Sequence, residues 1–129
     1  RPPPYWRAWS SAVCASDLSF GVPFIYAQKD KELGGSNFIE ETYTVSRAGI
    51  QVSLYLPKNA IDRKDSVLIT DDVVRSGEQL KALVNIARRC GAEIAGIFVL
   101  IAVGDRWKKE IDERSEYPIY SIVTLPEKD

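Results

Sequence analysis

The chain has 129 residues, of which 45% are hydrophobic and 27% charged, with 17 basic against 18 acidic side chains and a net charge of −1. This is the size and mixture of one globular domain, and with no basic excess the charge balance gives no pointer to nucleic acid. Histidine is absent, which removes Ser-His-Asp triads, Cys-His pairs and histidine metal sites together. The chain opens on "RPPP", after which Tyr5–Leu18 reads as a weakly amphipathic, alanine-rich helix. "VPFIYAQ", Val22–Gln28, is a short apolar strand entered through Gly21. Lys29–Asn37 is polar, carries paired glycines and reads as a mobile loop. Phe38–Ser46 and Ile50–Leu56 both alternate at period two around "RAG", the pattern of an antiparallel hairpin with one solvated face.

Ser66–Thr70, "SVLIT", is a compact apolar strand of the kind covered on both faces. Leu80, Leu83, Val84 and Ala87 then recur at helical spacing, with Arg88 and Arg89 near the end and Gly91 as a stop signal. Ala92–Val103 is a second buried strand. The mixed-sign run Gly104–Glu116 reads as a short helix with a solvated face, and Tyr117–Leu125 as a closing strand. Strand, helix and strand with short connections predict an α/β domain, with a mostly parallel central sheet flanked by helices and an antiparallel hairpin beside it.

Several classes of function fall away early. The longest apolar run, "AGIFVLIAV", is far short of the ~20 residues of a membrane helix. The opening lacks the apolar centre of a signal peptide, so a cytoplasmic protein with no membrane partner is expected. Methionine is missing even at position 1, which suggests a processed chain or a piece of a longer one. Cys14 and Cys90 form no CxxC, and both fall in helical patterns where a small buried hydrophobe is the expected role.

The informative stretch is "VLITDDVVRSGEQL", Val67–Leu80. A buried strand runs into two adjacent carboxylates, which repel each other, and then through a glycine turn into a helix. Ligands of parallel sheets bind beyond the carboxyl ends of the strands. A helix N-terminus favours phosphate, and Gly77 lets successive amides face one anion. Ser76 adds a hydroxyl and Arg75 a cation, while Asp71 and Asp72 could accept from sugar hydroxyls directly or through Mg²⁺. A ribose 5-phosphate would fit that order. The plainer alternative is an acidic pair in an ordinary loop, with Asp72 supporting the turn. Neither a GxxxxGK[ST] nor a GxGxxG motif is present.

Taken whole, "VLITDDVVRSGEQL" resembles the phosphoribosyl-diphosphate signature of the type I phosphoribosyltransferases. There, a hydrophobic strand leads into two acids, two apolar residues and a short phosphate loop. "GVPFIYAQKDKELGG" is similar to the family's strand into a lysine-bearing loop, and "IEETYTV…IQVSLYL" to its hairpin. The resemblance runs from about Ser11 to the C-terminus. It implies that Asp71 and Asp72 hold the ribose hydroxyls and a Mg²⁺ that bridges ribose and pyrophosphate. Val74, Arg75, Ser76, Gly77, Glu78 and Gln79 would wrap the 5-phosphate, mainly through backbone amides. Lys29 matches the family lysine that approaches pyrophosphate, and Lys31 would close over it; on the residues alone both are solvated lysines of a polar loop.

The implied activity is transfer of ribose 5-phosphate from phosphoribosyl diphosphate to a nucleobase, a purine rather than orotate, with release of pyrophosphate. A homodimer is the expected assembly. The rival reading is a regulatory domain that senses phosphoribosyl diphosphate or a nucleotide without turning it over. Departures from the family pattern are specific. Arg75 stands where hypoxanthine-guanine enzymes carry an aspartate serving the purine, which argues against that subgroup. Glu78 replaces a glycine and Gln79 a hydroxyl residue. At the front, "RPPPYWRAW" shows no E-x-G-G or A-R-G loop and no base-covering hood is recognisable, so the single domain is expected to lack the first strand and hood. Trp107, Tyr117 and Tyr120 are candidates for stacking on a base, or else packed aromatics.

Overall fold

A computed structural model of the chain describes residues 6–10, 24–26, 37–111 and 117–127. Its centre is built from the two most apolar runs. The strand β5 (Ser66–Val74) pairs in parallel with β6 (Glu93–Val103), in a register that runs from Ser66 opposite Glu93 to Val74 opposite Ala102. β7 (Ile119–Leu125) continues the sheet beyond β6, again in parallel. On the other side of β5 lie β1 (Trp6–Ser10) and then β2 (Phe24–Tyr26), both parallel, so the order is β2-β1-β5-β6-β7.

The strand β1 corrects the helix expected over Tyr5–Leu18. Trp6 pairs with Ser66 and Ser10 with Thr70. A short apolar run is ambiguous in period, and tryptophans favour a strand once neighbours on both sides can pair with it. The remainder of that predicted helix, Cys14 included, lies outside the described residues. The expectation that no strand precedes β2 is revised with it. What departs from the family pattern is the sequence "WRAWS", not the presence of a strand.

The hairpin is as expected. β3 (Phe38–Val45) and β4 (Ile50–Pro57) pair antiparallel, with Phe38 opposite Pro57 and Val45 opposite Ile50. The helix α1 (Glu78–Arg89) lies between this hairpin and the sheet. That position explains its burial. The predicted stripe of Leu80, Leu83, Val84 and Ala87 is buried, but so are Ala82 and Ile86. The core joins these to Val67, Ile69, Ile97 and Val99 of the sheet and to Leu54 and Leu56 of β4. Each large side chain so enclosed contributes about 1.5–3 kcal/mol of hydrophobic burial. A short helix, α2 (Trp107–Ile111), anchors on buried Trp107 and Ile111, while Lys108, Lys109 and Glu110 face outward.

The topology positions the site. β1 leads to a neighbour on one side and β5 to β6 on the other, so the strand order reverses between β1 and β5. In parallel sheets the crevice at such a reversal, beyond the carboxyl ends, is where ligands bind. Ser10 and Thr70 lie opposite each other there, one residue before Asp71.

Candidate ribose-phosphate site

The strand β5 does not stop at Thr70 as expected; it carries both acids and ends at Val74. Asp71 pairs with Val99 and Val74 with Ala102 of β6, so continued pairing keeps the chain extended. Successive strand residues point to opposite faces, and this separates the two carboxylates. Asp71 is buried at 4% exposure on the α1 side, where Gln79 Nε2 approaches its Oδ2 at 3.5 Å. Asp72 is exposed. Each carboxylate also accepts the next backbone amide: Asp72 N donates to Asp71 Oδ1 at 2.9 Å, and Val73 N to Asp72 Oδ1 at 2.8 Å.

Arg75, Ser76 and Gly77 connect the strand to α1. Gly77 is the N-cap, with φ 85° and ψ 3°, and no side chain among the described residues caps the helix. The conformation needs glycine twice over: φ lies in the left-handed region, and an added Cβ would sit 3.0 Å from Trp107 Cα and 3.0 Å from Trp107 Cβ. Buried Trp107, whose Nε1 donates to the Gly104 carbonyl at 3.1 Å, is therefore the floor of the loop. Lys81 N donates to the Gly77 carbonyl at 2.9 Å and closes the first helical bond. Amides ahead of that bond have no intrahelical acceptor, and the partial positive charge of the helix end adds to them.

The hairpin holds the two polar side chains of this first turn. Glu78, which could have put a carboxylate beside an incoming phosphate, is bound by Ser46: its N donates to Oε2 at 3.2 Å and its hydroxyl to Oε1. Tyr43 Oη donates to Gln79 Oε1 at 2.9 Å, so Gln79 bridges the hairpin and Asp71. Burial, and after it the charges of Asp71 and Glu78, raise the Tyr43 pKa, which keeps the phenol a neutral donor. Asp71, Val74, Arg75, Ser76, Gly77, Glu78 and Gln79 line one cleft of about 270 Å³ with Tyr43.

No protein-family model matches the chain. It is 34% identical over 118 residues to a hypoxanthine/guanine phosphoribosyltransferase of Methanotorris igneus, an alignment covering 91% of this chain and 61% of the relative. Its fold matches an adenine phosphoribosyltransferase of Thermoanaerobacter pseudethanolicus, with TM-score 0.78 and 21% identity over 93% of this chain and 70% of that one. The chain is thus similar in sequence to purine phosphoribosyltransferases and has the fold of the adenine enzymes. A further structural neighbour is the Trypanosoma brucei adenine enzyme in complex with AMP, pyrophosphate and ribose-5-phosphate, with TM-score 0.73 and 19% identity over 95% of this chain and 55% of that one. The chain spans about three-fifths of the length of the curated relatives it matches. The relatives are named hypoxanthine/guanine and adenine enzymes alike, so similarity does not separate those subgroups.

Within this phosphoribosyltransferase fold the structure brings Asp71 together with residues 74–79, the expected phosphate loop, but leaves Asp72 off the cleft lining. Val74 is 3% exposed and packs in the core, so only its backbone is available to a ligand. Lys29 and Lys31 lie outside the described residues. Trp107 is 1% exposed and cannot stack on a base, whereas Tyr120 is exposed and Tyr117 half-buried on the far strand region. Among the described residues no three His, Cys, Asp or Glu gather as a metal cage. Asp71, the acid of the pair that lines the cleft, suits Mg²⁺, which needs only one or two carboxylates, keeps several waters and takes its other ligands from substrate phosphates. The residues missed by sequence reasoning are Tyr43 and Ser46. The alternation of β3 puts Ile39, Glu41, Tyr43 and Val45 on one face, which is the half-buried one. Nothing in the alternation said that α1 covers that face.

Proposed function

We propose that the protein containing this chain transfers ribose 5-phosphate from phosphoribosyl diphosphate to a purine base and releases pyrophosphate. The observation that carries this reading is the cleft at the carboxyl end of β5, where Asp71 and residues 74–79 meet the uncapped start of α1. The start of α1 and the Ser76 hydroxyl hold the 5-phosphate, with Gly77 setting the loop's curvature on Trp107. Asp71, fixed by Gln79, accepts from a ribose hydroxyl, and exposed Asp72 meets the ligand from the other side of β5. Asp71, with Asp72 by family resemblance, would hold a Mg²⁺, which would supply neutralisation of charge on the leaving diphosphate. The bond from ribose C1 to the diphosphate oxygen breaks, its electron pair leaving with pyrophosphate, as one from C1 to a purine nitrogen forms and that nitrogen's proton passes to solvent or to the departing pyrophosphate. The chain's part is to position the ribose and stabilise charge. Lys29 and Lys31 approach pyrophosphate by family resemblance.

The relatives' names, hypoxanthine/guanine and adenine, support a purine without choosing one. The Trypanosoma brucei complex supports ribose 5-phosphate and pyrophosphate as ligands of this fold. We place the protein in the cytoplasm as a homodimer; among the described residues no helix is long and apolar enough to cross a membrane. Calorimetry with phosphoribosyl diphosphate, with and without Mg²⁺, tests the site. Asp71→Asn/Asp72→Asn is expected to weaken binding at least about tenfold, a loss of about 1.4 kcal/mol. Unchanged affinity would refute the ribose assignment.

A further inference from the structure

A second cleft, of about 550 Å³, opens on the other side of the phosphate loop. It shares Val45, Arg75, Ser76 and Glu78 with the first. Its volume falls in the range of about 300–1,000 Å³ typical of small-ligand sites. Four cations line it from three separate elements: Arg47 from the turn of the hairpin, Arg75 from the loop, and Arg106 and Lys109 from the start of α2 and the residue before it. Two carboxylates line it as well, Glu78 with its partner Ser46 in the same lining, so the cleft sets four cations against two anions. Glu78 is held by Ser46, and Glu110 lies 3.5 Å from Lys81 Nζ.

Arg106 is also committed, its Nε donating to Glu127 Oε2 at 3.0 Å. The side chains of Arg47, Arg75 and Lys109 have no ion-pair or hydrogen-bond partner among the described residues. All three are exposed. The fold thus gathers three cations beside a helix end that is already electropositive, against their mutual repulsion. The loop itself provides for one phosphate. A ligand carrying one phosphate leaves Arg47 and Lys109 with nothing to do.

We propose that this basic cleft is a subsite for a second phosphate joined to the 5-phosphate, so that the chain binds nucleoside 5-diphosphates in preference to monophosphates. The inference rests on the ribose-phosphate reading of the adjoining cleft. The first phosphate sits on the loop at the start of α1; the second extends past Ser76 between Arg47, Arg75 and Lys109. Charge-assisted hydrogen bonds from the two guanidinium groups are the main source of the added affinity.

The test is calorimetry of AMP against ADP and of GMP against GDP, without divalent cations so that chelation by the diphosphate plays no part. The parent chain is compared with Arg47→Ala/Lys109→Ala, both exposed positions outside the phosphate loop. The parent should bind the diphosphate about tenfold more tightly than the monophosphate. The double variant should bind both within about twofold of each other, with its monophosphate affinity unchanged. Equal affinity of the parent for mono- and diphosphate would overturn the subsite while leaving the ribose-phosphate reading intact. A variant that weakens both ligands alike would also overturn it, since the cations would then serve the first phosphate. If no monophosphate binds the parent, the reading of the first cleft fails and the subsite falls with it.

Discussion

The two ends of α1 are closed in opposite ways, and the contrast separates what the fold needs from what a ligand needs. Both ends turn on a glycine with positive φ, 85° at Gly77 and 77° at Gly91. At the C-terminal end the backbone satisfies itself: Cys90 N donates to Ile86 O at 3.0 Å, Gly91 N to Arg88 O at 3.0 Å and Ala92 N to Ala87 O at 3.2 Å. Arg88 and Arg89 there oppose the partial negative charge of the helix end. At the N-terminal end no side chain among the described residues caps the helix, and its one acidic side chain, Glu78, is drawn off to Ser46. A helix start left bare while its acid is held aside is poorly made for stability alone. It is well made for an anion.

The largest expected effect lies under the open end. Trp107 is almost wholly buried and supports Gly77 through its backbone and Cβ. Trp107→Ala should cost about 3–5 kcal/mol of stability, as for other large aromatic truncations, measured by urea unfolding followed by circular dichroism. A loss under about 1 kcal/mol would mean that the indole contributes little to the core beneath the loop.

Next come the paired glycines, which put the comparison to a direct test. Gly77→Ala meets both an unfavourable φ and the Trp107 backbone, so about 2–4 kcal/mol is expected, with monophosphate binding weakened at least about tenfold. Gly91→Ala meets Arg63 Cγ at 2.9 Å, but that side chain is exposed and can swing away, leaving about 1–2 kcal/mol of backbone strain. Its ligand affinity should match the parent's. Equal effects of the two substitutions on binding would erase the distinction between the ends.

How much of this could be read from residues alone follows the same division. The hairpin, β5, α1, β6 and β7 announce themselves because alternation and helical spacing reflect burial on a known face. The candidate site's lining was legible at its loop, where Asp71, Ser76 and Gly77 form a local pattern. β1 was not, because "WRAWS" becomes a strand only between two partners far off in sequence. Nor was the splitting of Asp71 from Asp72, since the strand's length past Thr70 depends on pairing with β6. Glu78 and Gln79 looked like departures from a phosphate loop; their partners, Ser46 and Tyr43, sit more than thirty residues away. Contacts between elements leave no mark on either element's own periodicity.

A smaller effect is expected from the hairpin's hold on the open end. Tyr43→Phe removes the bond to Gln79, a loss of about 0.5–1.5 kcal/mol for a partly buried neutral pair. Its pH dependence has a definite sign. The Tyr43 pKa is raised above the ordinary 10.0, first by burial and then by Asp71 and Glu78, so the folded state holds the proton more tightly than the unfolded one. The contribution is fully present below the unfolded value and is lost as pH rises through the folded one. Unfolding measured from about pH 9 to 11 should find the parent losing stability faster than Tyr43→Phe above pH ~10. Parallel curves would show that Tyr43 does not titrate as described.

The smallest effect belongs to the closed end. Arg89 Nη1 lies 3.1 Å from Glu41 Oε2 and also donates to the Glu40 carbonyl, while Asn85 Nδ2 donates to Glu41 Oε1 at 3.2 Å. Arg89 therefore ties the hairpin to the last turn of α1, much as Ser46 and Tyr43 tie it to the first. The Arg89 side chain is 52% exposed, so solvent and salt screen the pair, and the helix-end charge adds only a similar increment. Arg89→Ala should cost about 0.5–1 kcal/mol at low salt and less at ~1 M salt. Because Asn85 still holds Glu41, the hairpin should keep its place and Tyr43 its bond to Gln79. Monophosphate affinity should then equal the parent's, measured by the same calorimetry. A fall in affinity comparable to that of Gly77→Ala would mean that hairpin docking at one end of α1 sets the geometry at the other, and that the two ends work as one device.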